Sequence, residues 1–361
     1  MSNMTGEKAC GMSGNAAAQR TSETSRTTAA QSASDTTGTR AGQKPPGAVG
    51  NSAAQQTLGT FGVLIAAILW GTTGTAATFA PQLSPLAIGA VAMGFGGLLQ
   101  CLIALRPIVV QRRKIAAQRR YLLIGALAVA VYPLAFYASM HLAGVAVGTV
   151  ISIGSAPLLS ALLEVFFDRQ RLSRRWICGA AVGVAGMILL TLAENGHAAA
   201  EGERTYALTG IMLGLVAGLT YALYSWSARR MMQHGISGPA AMGSTFGLGG
   251  LLLMPVLAFT GAPLLHSWIN AGVGIYMALV PMFIGYLCYG YGLARVAAST
   301  ATTITLLEPV VAALLAVTLV GETLPAIGWA GMGLIVVCLA IITLPARKRA
   351  TRRMRHQAES L

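Results

Sequence analysis

Two acids, Glu164 and Glu308, sit inside long apolar runs of this chain. Glu308 lies in TITLLEPVVAALLAVTLVGETL (303–324), about ten residues into a run long enough to cross a bilayer, or ~15 Å at the helical rise. A charge at that depth costs ~2.5–3.5 kcal/mol on insertion scales. Such a side chain must face a partner or water, or else carry a proton. Pro309 follows it and has no N–H for the carbonyl of Thr305, so a backbone acceptor is expected to be free one turn earlier. Thr302, Thr303 and Thr305 add hydroxyls there. A carboxylate beside hydrated backbone can hold an amine or a proton. It can also be a structural acid bonded to a kinked neighbour, and the residues alone leave both readings open. Glu164 stands near the end of its run, close to Asp168 and Arg169. There the interface or an arginine is in reach, which points to a structural role.

Aromatic residues are the other candidates. Trp70, Tyr137, Tyr221, Tyr224, Tyr286 and Tyr289 all fall inside apolar runs rather than at their ends. Rings in such positions either pack helices together or line a cavity that shelters an apolar or cationic group. Gly71, next to Trp70, allows close helix approach. His141, at the end of the third run, is a candidate pH-sensitive gate or an inert exposed residue.

These residues must be held by membrane helices. Of 361 residues 55% are hydrophobic and only 10% charged, too few charges to coat a soluble surface of this size. Ten apolar spans are predicted, at about 59–79, 84–105, 121–141, 144–167, 175–193, 207–228, 238–260, 270–293, 298–320 and 325–344. Residues 1–57, rich in Ser, Thr, Ala and Gly, read as a disordered tail, and 346–361 as a basic tail. The formal net charge of +14 sits mainly in clusters between spans, such as RPIVVQRRKIAAQRR (106–120) and RKRATRRMR (347–355). Basic loops of this kind mark the cytoplasmic side, so both termini are expected there and no nucleic-acid partner is expected.

The chain also repeats itself. At an offset of 152 residues Pro157 falls on Pro309, Tyr137 on Tyr289, and Ala161-Leu162-Leu163 on Ala313-Leu314-Leu315. The repeat unit, 58–195 and again 206–345, holds five spans. An odd number forces the second copy to enter from the opposite side. The charges agree: DRQRLSRRW after span four has four arginines, whereas GETLPAIGW after span nine has none. An all-α polytopic protein of ten transmembrane helices in two inverted five-helix repeats follows, a plan associated with a midplane site between the repeats. Pro157 and Pro309 are read as kink scaffold, and stripes such as Gly210, Gly214 and Gly218 as close-packing surfaces.

LLEPVVAALLAVTLVGETL with GWAGMGLIVVCLAI, its counterpart SAPLLSALLEVFFDRQRL, and AILWGTTG (67–74) resemble the EamA-type transporters of the drug/metabolite transporter superfamily. The likeness extends over about residues 58–345. The family pattern ends in Gly-Glu in both repeats, whereas the first copy here has Arg169-Gln170. The resemblance implies a ten-helix carrier of small metabolites, often outward, with spans five and ten peripheral.

No Walker A, HExxH or GxSxG motif and no acidic metal cluster occurs, and the five cysteines are scattered. No catalytic residue, metal or cofactor is therefore expected. The reading is a secondary carrier of the cytoplasmic membrane exporting small metabolites or amino-acid-like solutes by alternating access on a proton gradient, with a homodimer as an admissible assembly. Glu308, Tyr137, Tyr289, Trp70, Thr305 and Tyr221 are the candidates for substrate binding or coupling. An uptake carrier or facilitator of the same fold is the alternative, as is an intramembrane lipid-modifying enzyme; a non-transporting receptor is a further rival.

Overall fold

The computed structural model describes residues 51–143, 145–194, 204–321 and 323–344. The basic tail and most of the segment read as a disordered tail lie outside the described residues. Among the described residues every regular element is helical. The first repeat comprises α1 (Asn51–Gly71), α2 (Thr73–Thr78), α3 (Pro85–Ile103), α4 (Leu105–Val110), α5 (Arg112–Ala117), α6 (Arg119–Ala143), α7 (Val145–Asp168) and α8 (Arg174–Glu194). The second comprises α9 (Arg204–Gln233), α10 (Gly238–Thr260), α11 (Trp268–Met277), α12 (Tyr286–Leu293), α13 (Ala298–Ile304), α14 (Leu307–Leu315) and α15 (Ala326–Thr343). Nine of the described helical segments are long and apolar enough to cross a membrane. The 21-residue α8 completes ten spans in two sets of five.

The joints follow from local chemistry. Ser84 accepts the N–H of Ala87 at 3.1 Å and Pro85 opens α3, so the turn after PQL caps a helix with the residues best suited to it. The basic stretch between spans two and three folds into the short helices α4 and α5. Ile115 turns inward from α5 to join Tyr121, Trp226 and Ile236. Gln111 exchanges 2.8 Å hydrogen bonds with Ser237 on the neighbouring repeat.

Packing repeats itself when the two halves are exchanged. Span three (α6) lies along span six (α9), as span eight (α12) lies along span one (α1). Span four (α7) also meets span six, as span nine (α14) meets span one. Spans two and seven (α3, α10), four and nine (α7, α13), and five and ten (α8, α15) pair with their own counterparts. That pattern is a pseudo-two-fold relation between the repeats. Small residues make the closest approaches: a Cβ on Gly97 would overlap the carbonyl oxygen of Phe246 across the α3–α10 contact. The large apolar side chains left exposed, such as Leu127, Phe166 and Val336, suit a surface that faces lipid.

Three spans depart from plain α-helix where the repeats meet. Span one breaks at Thr72, where the Thr72 and Thr73 hydroxyls donate to the carbonyls of Leu69 and Trp70 at 2.6 and 2.7 Å. Span eight widens into a π-helix over Ala278–Gly285, around Pro281. Span nine breaks between α13 and α14 at Thr305 and Leu306, with Glu308 and Pro309 in the first turn of α14. By contrast, α7 is a single helix through Pro157.

Candidate functional site: an aromatic cavity with one carboxylate

Each break points into the same place. A cavity of about 30 Å³ lies between the repeats, lined by Trp70 and Thr73 of span one, Gly89 and Met93 of span two, and Tyr132, Phe136 and Tyr137 of span three. Met282 and Tyr286 of span eight and Glu308 of span nine complete the wall. Room of that size admits about two waters and no metabolite. The sites of approach are set by glycine. A Cβ on Gly71 would come within 2.8 Å of the Glu308 carbonyl oxygen, and one on Gly89 within 2.8 Å of the Tyr137 ring. Spans one and nine therefore close up at the acid, and span two yields to Tyr137.

Glu308 is half-buried, and among the described residues no side-chain hydrogen bond or ion pair reaches its carboxylate. Its surroundings are rings, two thioethers and hydroxyls; among the described residues neither Lys nor Arg lines the cavity. The sequence expectation for its backbone needs correction. The Thr305 carbonyl is not free, because the N–H of Glu308 itself donates to it at 2.9 Å in a tight turn. Proline removed one donor and the broken helix supplied another. The polar character of the site comes from side chains.

Trp70 lines the cavity and is fixed from behind. Its Nε1–H donates to the Pro281 carbonyl at 2.9 Å, an acceptor exposed by the widened helix. Its ring lies 4.6 Å from that of Tyr286 and 5.2 Å from that of Tyr289, centroid to centroid. Tyr289 and Tyr221 do not line the cavity. Tyr289 is 0% exposed and shares a 2.8 Å hydrogen bond with Ser225. Tyr221 shares one of 2.7 Å with Thr305, and Tyr224 one of 2.8 Å with Tyr286. These groups form a buried, hydrogen-bonded aromatic floor beneath the cavity, in which each ring packs against the next at 5–6 Å.

The candidates thus divide. Glu308, Trp70 and Tyr137 meet at the cavity; Tyr289, Tyr221 and Thr305 lie in its floor; Pro309 follows the break that presents Glu308, and Pro157 lies within α7. His141 is exposed at the end of α6, away from the cavity. Tyr132 and Phe136 were missed. A signal was there, since Tyr132 and Phe136 are one helical turn apart and Tyr137 follows, an aromatic cluster around Pro133.

Glu164 sits differently. It is 2% exposed, accepts the Ala298 N–H at 2.7 Å, and receives the Ser299 hydroxyl and backbone N–H. It is structural, but its partner is the start of span nine rather than an arginine or the interface.

A ten-span helical fold with a small polar-aromatic cavity between two repeats defines a membrane transporter of small molecules. The model of the EamA-like transporter family matches residues 57–192 and again 208–344, and the chain belongs to that family. It is accordingly a multi-pass membrane protein and a transporter rather than an enzyme. It is 32% identical over 304 residues, 82% of this chain and 97% of the relative, to "Uncharacterized transporter YwfM" of Bacillus subtilis (strain 168). It is 24% identical over 305 residues, 80% of this chain and 98% of the relative, to "Probable terminal-alkyne amino-acid exporter" of Streptantibioticus cattleyicolor. "Threonine/homoserine exporter RhtA" of Escherichia coli (strain K12) is 27% identical over 228 residues, 60% of this chain and 73% of that one. A crystal structure with 20% sequence identity shares the fold, with a TM-score of 0.65 over 81% of this chain and 99% of that chain.

Proposed function

We propose that the chain exports small amine-bearing metabolites, amino-acid-like solutes among them, by alternating access, with Glu308 taking a proton and the substrate ammonium in turn. The observation that carries this is a carboxylate that, among the described residues, has no hydrogen-bond or ion-pair partner, in a cavity walled by aromatic rings. A cation finds there one full counter-charge and several π faces. An anion finds only neutral hydroxyls. Because one carboxylate cannot hold a proton and an ammonium together, competition at Glu308 would exchange one for the other.

Export is supported by the names of two relatives, one a probable terminal-alkyne amino-acid exporter and the other a threonine/homoserine exporter. The inverted repeats support alternating access, since exchanging their conformations would move the opening from one face to the other. A cavity too small for a metabolite fits a closed stage of such a cycle. The arginine clusters support an orientation with that face and both termini in the cytoplasm, in a cytoplasmic membrane. The cavity is complete within one chain, so a homodimer is compatible with transport without being needed for it.

The test is transport in proteoliposomes with an imposed pH gradient, using homoserine and short aliphatic amines as probes and a lumenal pH dye as the second readout. Coupled flux of amine and proton is expected in the native protein, with the pH dependence flattened in Glu308→Gln. Unchanged transport and pH profile in that variant would remove Glu308 from the mechanism.

A further inference from the structure

We infer that Glu164 and Arg229 form a charged latch that holds the arginine-rich face closed, and that its one-sidedness biases the resting carrier toward that state. This rests on the alternating-access reading but not on any substrate or coupling ion.

Four spans from both repeats meet at this face. Glu164, near the end of span four, holds the first residues of span nine through Ala298 and Ser299. Arg229, near the end of span six, donates to the carbonyls of Leu293 and Val296, where span eight ends. Beside them Arg230 pairs with Asp168 at 3.2 Å, and the Trp226 indole donates to the same carboxylate at 3.2 Å. The aromatic floor separates this layer from the cavity. Two residues of the cavity wall lie toward the other ends of their spans: Gly89 is near the start of α3, and Tyr137 is near the end of α6. Opening the arginine-rich face requires the ends of spans four and six to leave those of spans eight and nine. The bonds of Glu164 and Arg229 cross that line, whereas those of Arg230 and Trp226 to Asp168 tie spans four and six together on one side of it.

The repeat supplies an independent argument. Exchanging the repeats would build the mirror-image closure from the positions 152 residues away. Glu164 maps to Ala316, Asp168 to Val320, Arg229 to Ala77 and Arg230 to Thr78. None carries a charge. The mapped positions on the opposite face, all among the described residues, therefore supply no equivalent charged latch, and on this account the two closed states are unequal in energy. A buried carboxylate with three donors stabilises only the state in which those donors are present. Glu164 and Arg229 are positioning residues in this account, since neither touches the cavity.

The experiment uses the full-length chain with its native cysteines replaced and one reporter at a time. Ser225→Cys lies in the floor, and Thr73→Cys lies in the cavity wall. Each is labelled with a charged thiol reagent applied to oriented vesicles, Ser225→Cys from the arginine-rich face and Thr73→Cys from the other. Adding Glu164→Gln is expected to raise labelling of Ser225→Cys ~10-fold and to lower that of Thr73→Cys, a population shift in opposite senses at two sites. Arg229→Lys is expected to act in the same direction less strongly, and serves should Glu164→Gln fail to fold. A rise at both reporters would mean general loosening and overturn the latch, as would no change at either. No transported substrate is needed, so an error in the amine or proton assignment leaves this result readable.

Discussion

The two repeats each place one glutamate in a membrane span, and the two fates differ. Glu164 of the first repeat is buried and bonded to three donors at the start of span nine, so its charge is spent on joining the repeats. Glu308 of the second is presented by a helix break into a cavity, with no protein group bonded to its carboxylate among the described residues. A membrane acid held by donors joins helices, whereas the one left facing rings and water-sized space is the one we propose for a ligand. Partnership rather than depth separates the roles. The same split runs through the tyrosines, with Tyr289 held by Ser225 in the floor and its repeat equivalent Tyr137 on the cavity wall.

This comparison can be broken. The largest effect is expected from Glu164→Ala, which leaves the Ala298 and Ser299 donors buried and unpaired. The expected loss of stability is ~3 kcal/mol, read as a lower thermal midpoint in detergent. An unchanged midpoint would show that those donors find other partners and that Glu164 is not scaffold. Glu308→Gln is expected to lower amine transport ~10- to 100-fold, the worth of a charged hydrogen bond, while leaving the midpoint unchanged or raised. Should that variant unfold the protein instead, the contrast between the two acids disappears. Tyr289→Phe comes next, with a loss of ~1 kcal/mol of stability from the buried bond to Ser225. Its apparent affinity for amine should stay near the native value, measured by counterflow. The smallest effect is expected from Tyr132→Phe, which should weaken amine binding only a few-fold, with the midpoint kept. If Tyr289→Phe impaired binding more than Tyr132→Phe, the division into floor and wall would be wrong.

Much of this was legible beforehand, and particular residues show why. Glu308 stood out because an acid in an apolar run is rare and costly wherever the helix turns. Trp70 and Tyr137 stood out as rings far from the interface. Tyr221 and Tyr289 carried the same signal and lie behind the wall, because residue type does not reveal which side of a bundle a ring occupies. The carbonyl of Thr305 was expected to be free on the strength of Pro309 alone. Its donor came from Glu308 once the helix broke, a rearrangement that no single proline specifies.

By itself the sequence determined the ten spans, the repeat and its inversion, and the family. All of these rest on one-dimensional properties: apolar length against bilayer thickness, the offset of similar residues, and the parity of the repeat unit. Tertiary structure alone decided which acid keeps a free carboxylate, which tyrosines reach the cavity, and that Glu164 binds the start of a span far away in the chain. Those outcomes depend on which donors packing brings within 3 Å, and residues 134 apart in sequence carry no local sign that they will meet.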